Sequence, residues 1–283
     1  MLSPGAESAA RPARIGRGRV RASVGVDIIL STEAEADVVL SITPADGWAN
    51  DETLTIASAG RTIPAAEIAD AHGTRAHRVV LPAGRTSVTY RGSVSTPSAP
   101  AHSAEIDPVR YLRPSRYAPS DDPRISEVAA FSSSSVRERV RQITQWVSEN
   151  LDYVSGVSGP TDTALDTLRE GAGVCRDYAH VTIALLRAAG IPARLVSVFA
   201  PGLEPMDFHA VVEAFVDGRW EVVDATRLAP RAHFVRIATG RDAADTAFLT
   251  TVSGTATLES VDVTAVTVDD LVADDPDASI LLR

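Results

Sequence analysis

The sequence predicts an α+β protein: a small all-β sandwich, then a domain whose helices precede an antiparallel sheet. Three observations carry that reading. Short alternating apolar runs, broken by Pro and Gly turn signals, fill residues 19–95. Apolar stripes at helical spacing follow at 136–151 and 175–189. After Gly190 come three strand-like runs, two of them joined by Asp217-Gly218, one of the strongest short hairpin signals.

Residues 1–18, rich in Ala, Pro, Gly and Arg, read as a flexible arm. Val20, Ala22, Val24 and Val26 then alternate with other residues, and Val38-Val39-Leu40, Leu54-Thr55-Ile56, Val79-Val80-Leu81 and Ser87-Val88-Thr89-Tyr90 repeat the strand signal. Pro44-Ala45-Asp46-Gly47 and Pro82-Ala83-Gly84 separate them as turns. Strands at this spacing suggest a sandwich over 19–95, with 96–120 as linker. A catalytic domain is expected over 121–268 and an acidic tail over 269–283.

Within that domain, Val136, Val140, Ile143, Trp146 or Val147, and Leu151 share one helical stripe, and the serines at 132–135 can cap it. A short helix over 163–169 ends at Gly171. The third helix runs from Cys175 to Ala189, buries Ala179, Thr182, Ile183, Leu186 and Ala189, and stops at Gly190 and Pro192. Strands are expected at 193–199, 208–216 and 220–224, with a last one near 257–266.

At 283 residues, with 45% hydrophobic and 23% charged content, the chain can bury a substantial core. No apolar run approaches the ~20 residues of a membrane helix, and no leader pattern opens the sequence, so a cytoplasmic protein is expected. A net charge of −10 argues against a nucleic-acid partner, which needs a basic footprint. Arg11 to Arg21 make a basic start and Asp269 to Asp277 an acidic end, both read as solvated. Every basic side chain other than histidine is arginine, so the chain offers no lysine amine to an acyl donor.

A lone cysteine excludes an internal disulfide, and most lone cysteines are small buried hydrophobes. Cys175 differs because Gly171-Ala172-Gly173-Val174 delivers it to the first turn of a helix, where unpaired N–H groups and the dipole favour thiolate over thiol. Asp177 opposes this if close, or simply stabilises the helix start. A thiolate needs a base. His180 lies about 140° around the helix from Cys175 and reads as a packing residue. His72, His77 and His102 lie in the β half or the linker, and His233 has no evident strand to hold it.

His209 enters a strand that ends at Asp217-Gly218. With those two residues as the turn, Val211 faces Asp224, and His209 and Asp224 become diagonal neighbours on one side of the ribbon. A one-residue slip would separate them. Cys175 as nucleophile, His209 as base and Asp224 as orienter make a thiol triad. The Cys175 N–H is the expected oxyanion donor, with Tyr153 as the candidate for a second.

Gly173-Val174-Cys175-Arg176-Asp177-Tyr178-Ala179-His180 followed by Ala189-Gly190-Ile191-Pro192-Ala193-Arg194 resembles the nucleophile block of bacterial transglutaminase-like proteins. Asp207-Phe208-His209-Ala210-Val211-Val212-Glu213 resembles their histidine strand, and Gly218-Arg219-Trp220-Glu221-Val222-Val223-Asp224-Ala225-Thr226 their aspartate strand. Spacings of 34 residues (175 to 209) and 15 (209 to 224) fit the compact members. Tyr111-Leu112-Arg113-Pro114-Ser115-Arg116-Tyr117 resembles the segment that joins the family's β-rich region to its core, and Gly240-Arg241-Asp242-Ala243-Ala244-Asp245 a block further on. Where the family often has an aromatic residue two places after the histidine, this chain has Val211.

The resemblance, over about residues 19–250, implies a papain/transglutaminase-like catalytic core and acyl transfer from an amide or peptide bond through a Cys175 thioester. Hydrolysis is expected over transfer to an amine, because no calcium loop is evident and the chain has no lysine. The partners implied are a peptide or protein substrate and, for transfer, an amine acceptor; no cofactor, metal, membrane or nucleic acid is expected. A non-catalytic peptide-binding module is the alternative, although a binding cleft has no need of all three residues. Zinc held by Cys175, His209 and Asp224 is disfavoured because no short paired-ligand spacing occurs.

Overall fold

The structure is a computed structural model and describes residues 15–16, 20–98, 103–129 and 131–283. Ile15–Gly16 form β1, and alternating small and β-branched residues then build β2 (Arg21–Thr32). β3 (Ala36–Leu40), β4 (Ala49–Ser58), β5 (Arg61–Thr62), β6 (Ala66–Ala69), β7 (Arg75–Leu81) and β8 (Gly84–Ser95) complete the first half. Helices α1 (Asp107–Arg110), α2 (Pro123–Val128) and α3 (Val136–Asn150) follow, then β9 (Asp152–Tyr153), α4 (Ala164–Glu170), β10 (Ala172–Gly173) and α5 (Cys175–Ala188). β11 (Ala193–Phe199), β12 (Phe208–Val216), β13 (Arg219–Val223) and β14 (Val235–Gly240) come next, and α6 (Ala243–Thr246), β15 (Leu249–Ser253), β16 (Thr257–Thr267) and β17 (Ser279–Ile280) end the order.

Local chemistry sets the helix ends. Ser135 caps α3 by accepting from the Glu138 N–H, and Thr163 with Asp166 closes a reciprocal capping box on α4. Gly171 (φ 68°) then ends α4 in the left-handed conformation, turning the chain toward Cys175.

The sandwich consists of a five-stranded sheet, β16-β2-β8-β4-β5, and a four-stranded sheet, β15-β3-β7-β6. Val26, Ile28, Leu30, Val38, Leu40, Val88 and Tyr90 are its sealed centre. One expectation is corrected here. The strand near 257–266 and the segment before it do not extend the sheet of the second half: β16 runs along β2 and β15 along β3. Alternation identified β16 as a strand but not its partner. An edge as long as β2 needs a strand of comparable length to satisfy its backbone, and β16 supplies one. The sandwich is therefore discontinuous in sequence, and 121–268 is not one contiguous unit.

The second-half sheet has the order β13-β12-β11-β14, all antiparallel. It is the middle layer of the molecule. Leu195, Val212, Ala214, Val216 and Val223 pack against α2 to α5, whereas Val196, Val198, Val211, Val222 and Ile237 pack toward the sandwich. Burial on both sides explains why these strands read as nearly continuous apolar runs. A buried ion cluster joins the layers: Arg194 and Arg236 each contact Glu213 at 2.7 Å. Nδ1 of His72, from the sandwich, lies 3.3 Å from Arg194, and its Nε2 lies 2.7 Å from the Tyr111 hydroxyl.

The linker and tail also differ from expectation. In 96–120, Asp107, Tyr111 and Ala118 are buried, because Asp107 caps the Ala104 N–H and Tyr111 stacks edge-on against Trp220. In 269–283 the acidic stretch is largely exposed, but Ile280 and Leu282 enter the core. The arm expected over 1–18 falls outside the described residues except for β1, which pairs with β17. Of the basic start, Arg21 is described and pairs with Asp269 at 2.6 Å.

Candidate active site

Cys175 reaches its place through a short parallel pairing of β10 with β9, Gly173 opposite Tyr153. Gly173 is required there, since a Cβ would come within 2.6 Å of the Asp177 side chain. Asp177 is fully buried, accepting from the Val174 N–H at 2.9 Å and from the Ser158 hydroxyl, with Arg176 3.0 Å away. Its charge is thus committed to capping α5 and to Arg176, the helix-stabilising of the two roles open to it.

His209 and Asp224 owe their meeting to hairpin register. Asp217 (φ 50°) and Gly218 (φ 80°) form the turn, Val216 pairs with Arg219, and Val212 pairs with Val223. Asp224 follows directly, diagonal to His209, as the two-residue turn requires. Its Oδ2 lies 2.8 Å from His209 Nε2, both side chains being almost completely buried. Thr226 holds the other oxygen, its N–H donating at 2.9 Å and its hydroxyl at 2.7 Å.

The electrostatics follow from this geometry. Burial opposes charge on the imidazole, but the charge and hydrogen bond of Asp224, with smaller contributions from Cys175, outweigh it and raise His209 to about 10. Burial likewise opposes charge on Asp224, yet His209 and Thr226 keep it below the usual carboxylate range. An imidazolium–carboxylate pair is stable here at neutral pH.

The hairpin and α5 then close on each other. Cys175, Tyr178, Ala179 and Thr182 face Ala210 to Val212 and Val223 to Ala225 across a crevice with no room for water. With Nε2 on Asp224, the nitrogen left for the thiol is Nδ1, which is buried and has no hydrogen-bond partner. The Cys175 thiol contributes to the raised value of His209, which places it beside the imidazole. Tyr153, half-exposed, stands beside Cys175 and interacts with both its thiol and its backbone N–H. Burial, followed by the charge of Cys175, pushes the phenol up to about 12, so it remains a hydrogen-bond donor.

The structure does not bring the other described histidines to Cys175. His180 accepts from the Ala243 N–H, His233 meets the Val272 N–H, His77 faces Glu67, and His72 belongs to the buried ion cluster; His102 lies outside the described residues. Two contributors were missed from sequence. Thr226 was legible, because a Thr two places after an Asp is well placed to bond its carboxylate. Ser158 was not, since a 19-residue separation from Asp177 leaves no local pattern.

A sequence model of the Transglutaminase-like superfamily matches residues 125–225, the stretch containing Cys175, His209 and Asp224. An uncharacterized Mycobacterium leprae protein, ML0607, is 30% identical over 147 residues, covering 48% of this chain and 52% of its own length. The chain thus spans about half of that curated relative. A solved structure of a candidate cysteine protease from Cytophaga hutchinsonii is 30% identical with a TM-score of 0.82, over 92% of this chain and 96% of that one. Since that likeness runs through both the sandwich and the sheet, and the superfamily's own match covers the segment around Cys175, this chain belongs to the transglutaminase-like superfamily.

Proposed function

We propose that the protein is a thiol enzyme acting on amide or peptide bonds through a thioester at Cys175, with His209 as acid–base and Asp224 as its orienter. The observation that carries this reading is the buried 2.8 Å contact between His209 and Asp224, which leaves Nδ1 without a partner beside the only cysteine. The Cys175 thiolate attacks the carbonyl carbon and forms a C–S bond. The resulting oxyanion is held by the Cys175 N–H and the Tyr153 phenol. As the C–N bond breaks, the His209 imidazolium gives its Nδ1 proton to the leaving amine. Water then loses a proton to His209 and attacks the thioester, releasing a carboxylic acid and restoring the thiol.

Hydrolysis is favoured over transfer to an amine by the likeness to a candidate cysteine protease. A peptide or protein is accordingly the substrate class. The test is turnover of a peptide-amide library by the wild type and by Cys175→Ala, with and without an added primary amine. Hydrolysis products from the wild type alone are expected, and a thioester trapped by hydroxylamine. Turnover persisting in Cys175→Ala would remove the nucleophile assignment; amide products formed only with added amine would make the enzyme a transferase.

A further inference from the structure

The role of Cys175 leaves one buried titratable group of its own helix unexplained. His180 is fully buried five residues along α5. Its Nε2 lies 3.2 Å from the Ala243 N–H, which can only donate, so Nε2 is the acceptor and the proton of the neutral ring sits on Nδ1. Nδ1 has no partner. Burial, only partly offset by Asp242, lowers His180 to about 4, so the ring is neutral at physiological pH. Its face stacks on Tyr117 at 5.3 Å.

These contacts unite three sequence blocks that the triad does not use. Asp242 accepts from the Tyr117 N–H at 2.9 Å and caps α6 through the Ala244 N–H. Arg187, seven residues after His180 and so on the same helical face, bonds the Arg241 carbonyl at 2.6 Å and the Ser115 hydroxyl at 2.9 Å. The 115–117 segment and the 241–243 turn therefore grip α5 along a stripe about 140° from Cys175. The opposite constraint comes from the hairpin, which Cys175, Ala179 and Thr182 face. A helix held on both sides cannot rotate about its axis without carrying its first residue away from His209.

We propose that His180 is a positioning residue that, by accepting the Ala243 N–H, sets the rotation of α5 and so the placement of the Cys175 thiol against His209. The inference rests on the reading of Cys175 as nucleophile, and its test separates the two. Ala243 is the first residue of α6, where proline is tolerated and lacks the N–H, and Asp242 before it is extended as proline prefers. Ala243→Pro therefore deletes the donor, and His180→Phe deletes the acceptor while keeping a ring for Tyr117.

The experiment measures iodoacetamide alkylation of Cys175 and peptide-amide turnover in the wild type, both single variants, the double variant and His180→Gln. Each single variant is expected to slow alkylation and to lower kcat roughly tenfold or more with KM little changed, since small misplacements of reacting groups are costly. The double variant should be no worse than either single, and His180→Gln should recover much of the rate by restoring an acceptor. Additive effects would overturn the proposal, as would a lowered melting temperature with unchanged alkylation. If a variant fails to fold, the pH profile of alkylation in the remaining variant decides: a profile superimposable on the wild type overturns it. A wild type whose Cys175 neither alkylates readily nor supports turnover would instead undo the enzymatic reading.

Discussion

His209 and Asp224 meet diagonally across the β12–β13 hairpin, with 2.8 Å between Nε2 and Oδ2, one residue beyond the last paired position. The contact depends on a two-residue turn: an inserted residue would carry Asp224 to the other side of the ribbon. Asp224→Asn keeps the side-chain shape but favours the wrong imidazole tautomer. Turnover is expected to fall by about 10³- to 10⁴-fold with the fold retained, and the melting temperature at neutral pH to drop because the charged partner of His209 is gone. An unaffected rate would demote Asp224 to a structural residue.

His209 makes stability depend on pH. Its folded value lies above the ordinary ~6.5 of histidine, at about 10. The stabilisation from the charged ring is complete below ~6.5 and is lost as pH rises through about 10. Melting temperatures of the wild type should therefore decline across that interval more steeply than those of His209→Ala. Parallel curves would show that the imidazolium–carboxylate pair contributes nothing to the folded state.

Thr226 donates its hydroxyl to Asp224 at 2.7 Å and stands 3.5 Å from His209 Nε2. Thr226→Val retains the shape and the backbone N–H but removes that bond. A hydrogen bond to a charged group contributes about 1.5–3 kcal/mol, so kcat should drop about tenfold or more with KM preserved. A rise in KM alone would mean that Thr226 contacts substrate instead.

Glu213 sits between Arg194 and Arg236, all three sealed from solvent. Burial opposes its charge, but the two guanidinium groups prevail and lower it to about 2. Its stabilisation is present above the ordinary carboxylate range and fades only as pH falls toward 2. Glu213→Ala leaves two buried cations without their anion, with an expected cost of about 3–5 kcal/mol in denaturant unfolding. A loss below 1 kcal/mol would indicate that water or another anion takes its place.

Much of the second half was legible residue by residue. Gly190, Pro192 and the stripe from Ala179 to Leu186 place α5 within a residue of its observed end, because caps and periodicity are local. The Asp217-Gly218 turn foretold the hairpin register for the same reason. Ser158, the burial of Asp107 and the contact made by His180 were not legible, because each depends on a partner far away in the chain: Asp177, His72 and Ala243.

The sequence by itself determined the helices that open at Val136 and Cys175 and the strands that follow Pro192, where Cys175 sits on its helix, and which side of its ribbon carries His209 and Asp224. These follow from backbone geometry and turn chemistry acting over a few residues. Only the tertiary structure decided that β15 and β16 complete the sandwich, that both sides of the middle sheet are covered, and that α5 is clamped from behind. Long edges and buried charges must find partners of matching length and sign, and that search is settled by the packed chain as a whole.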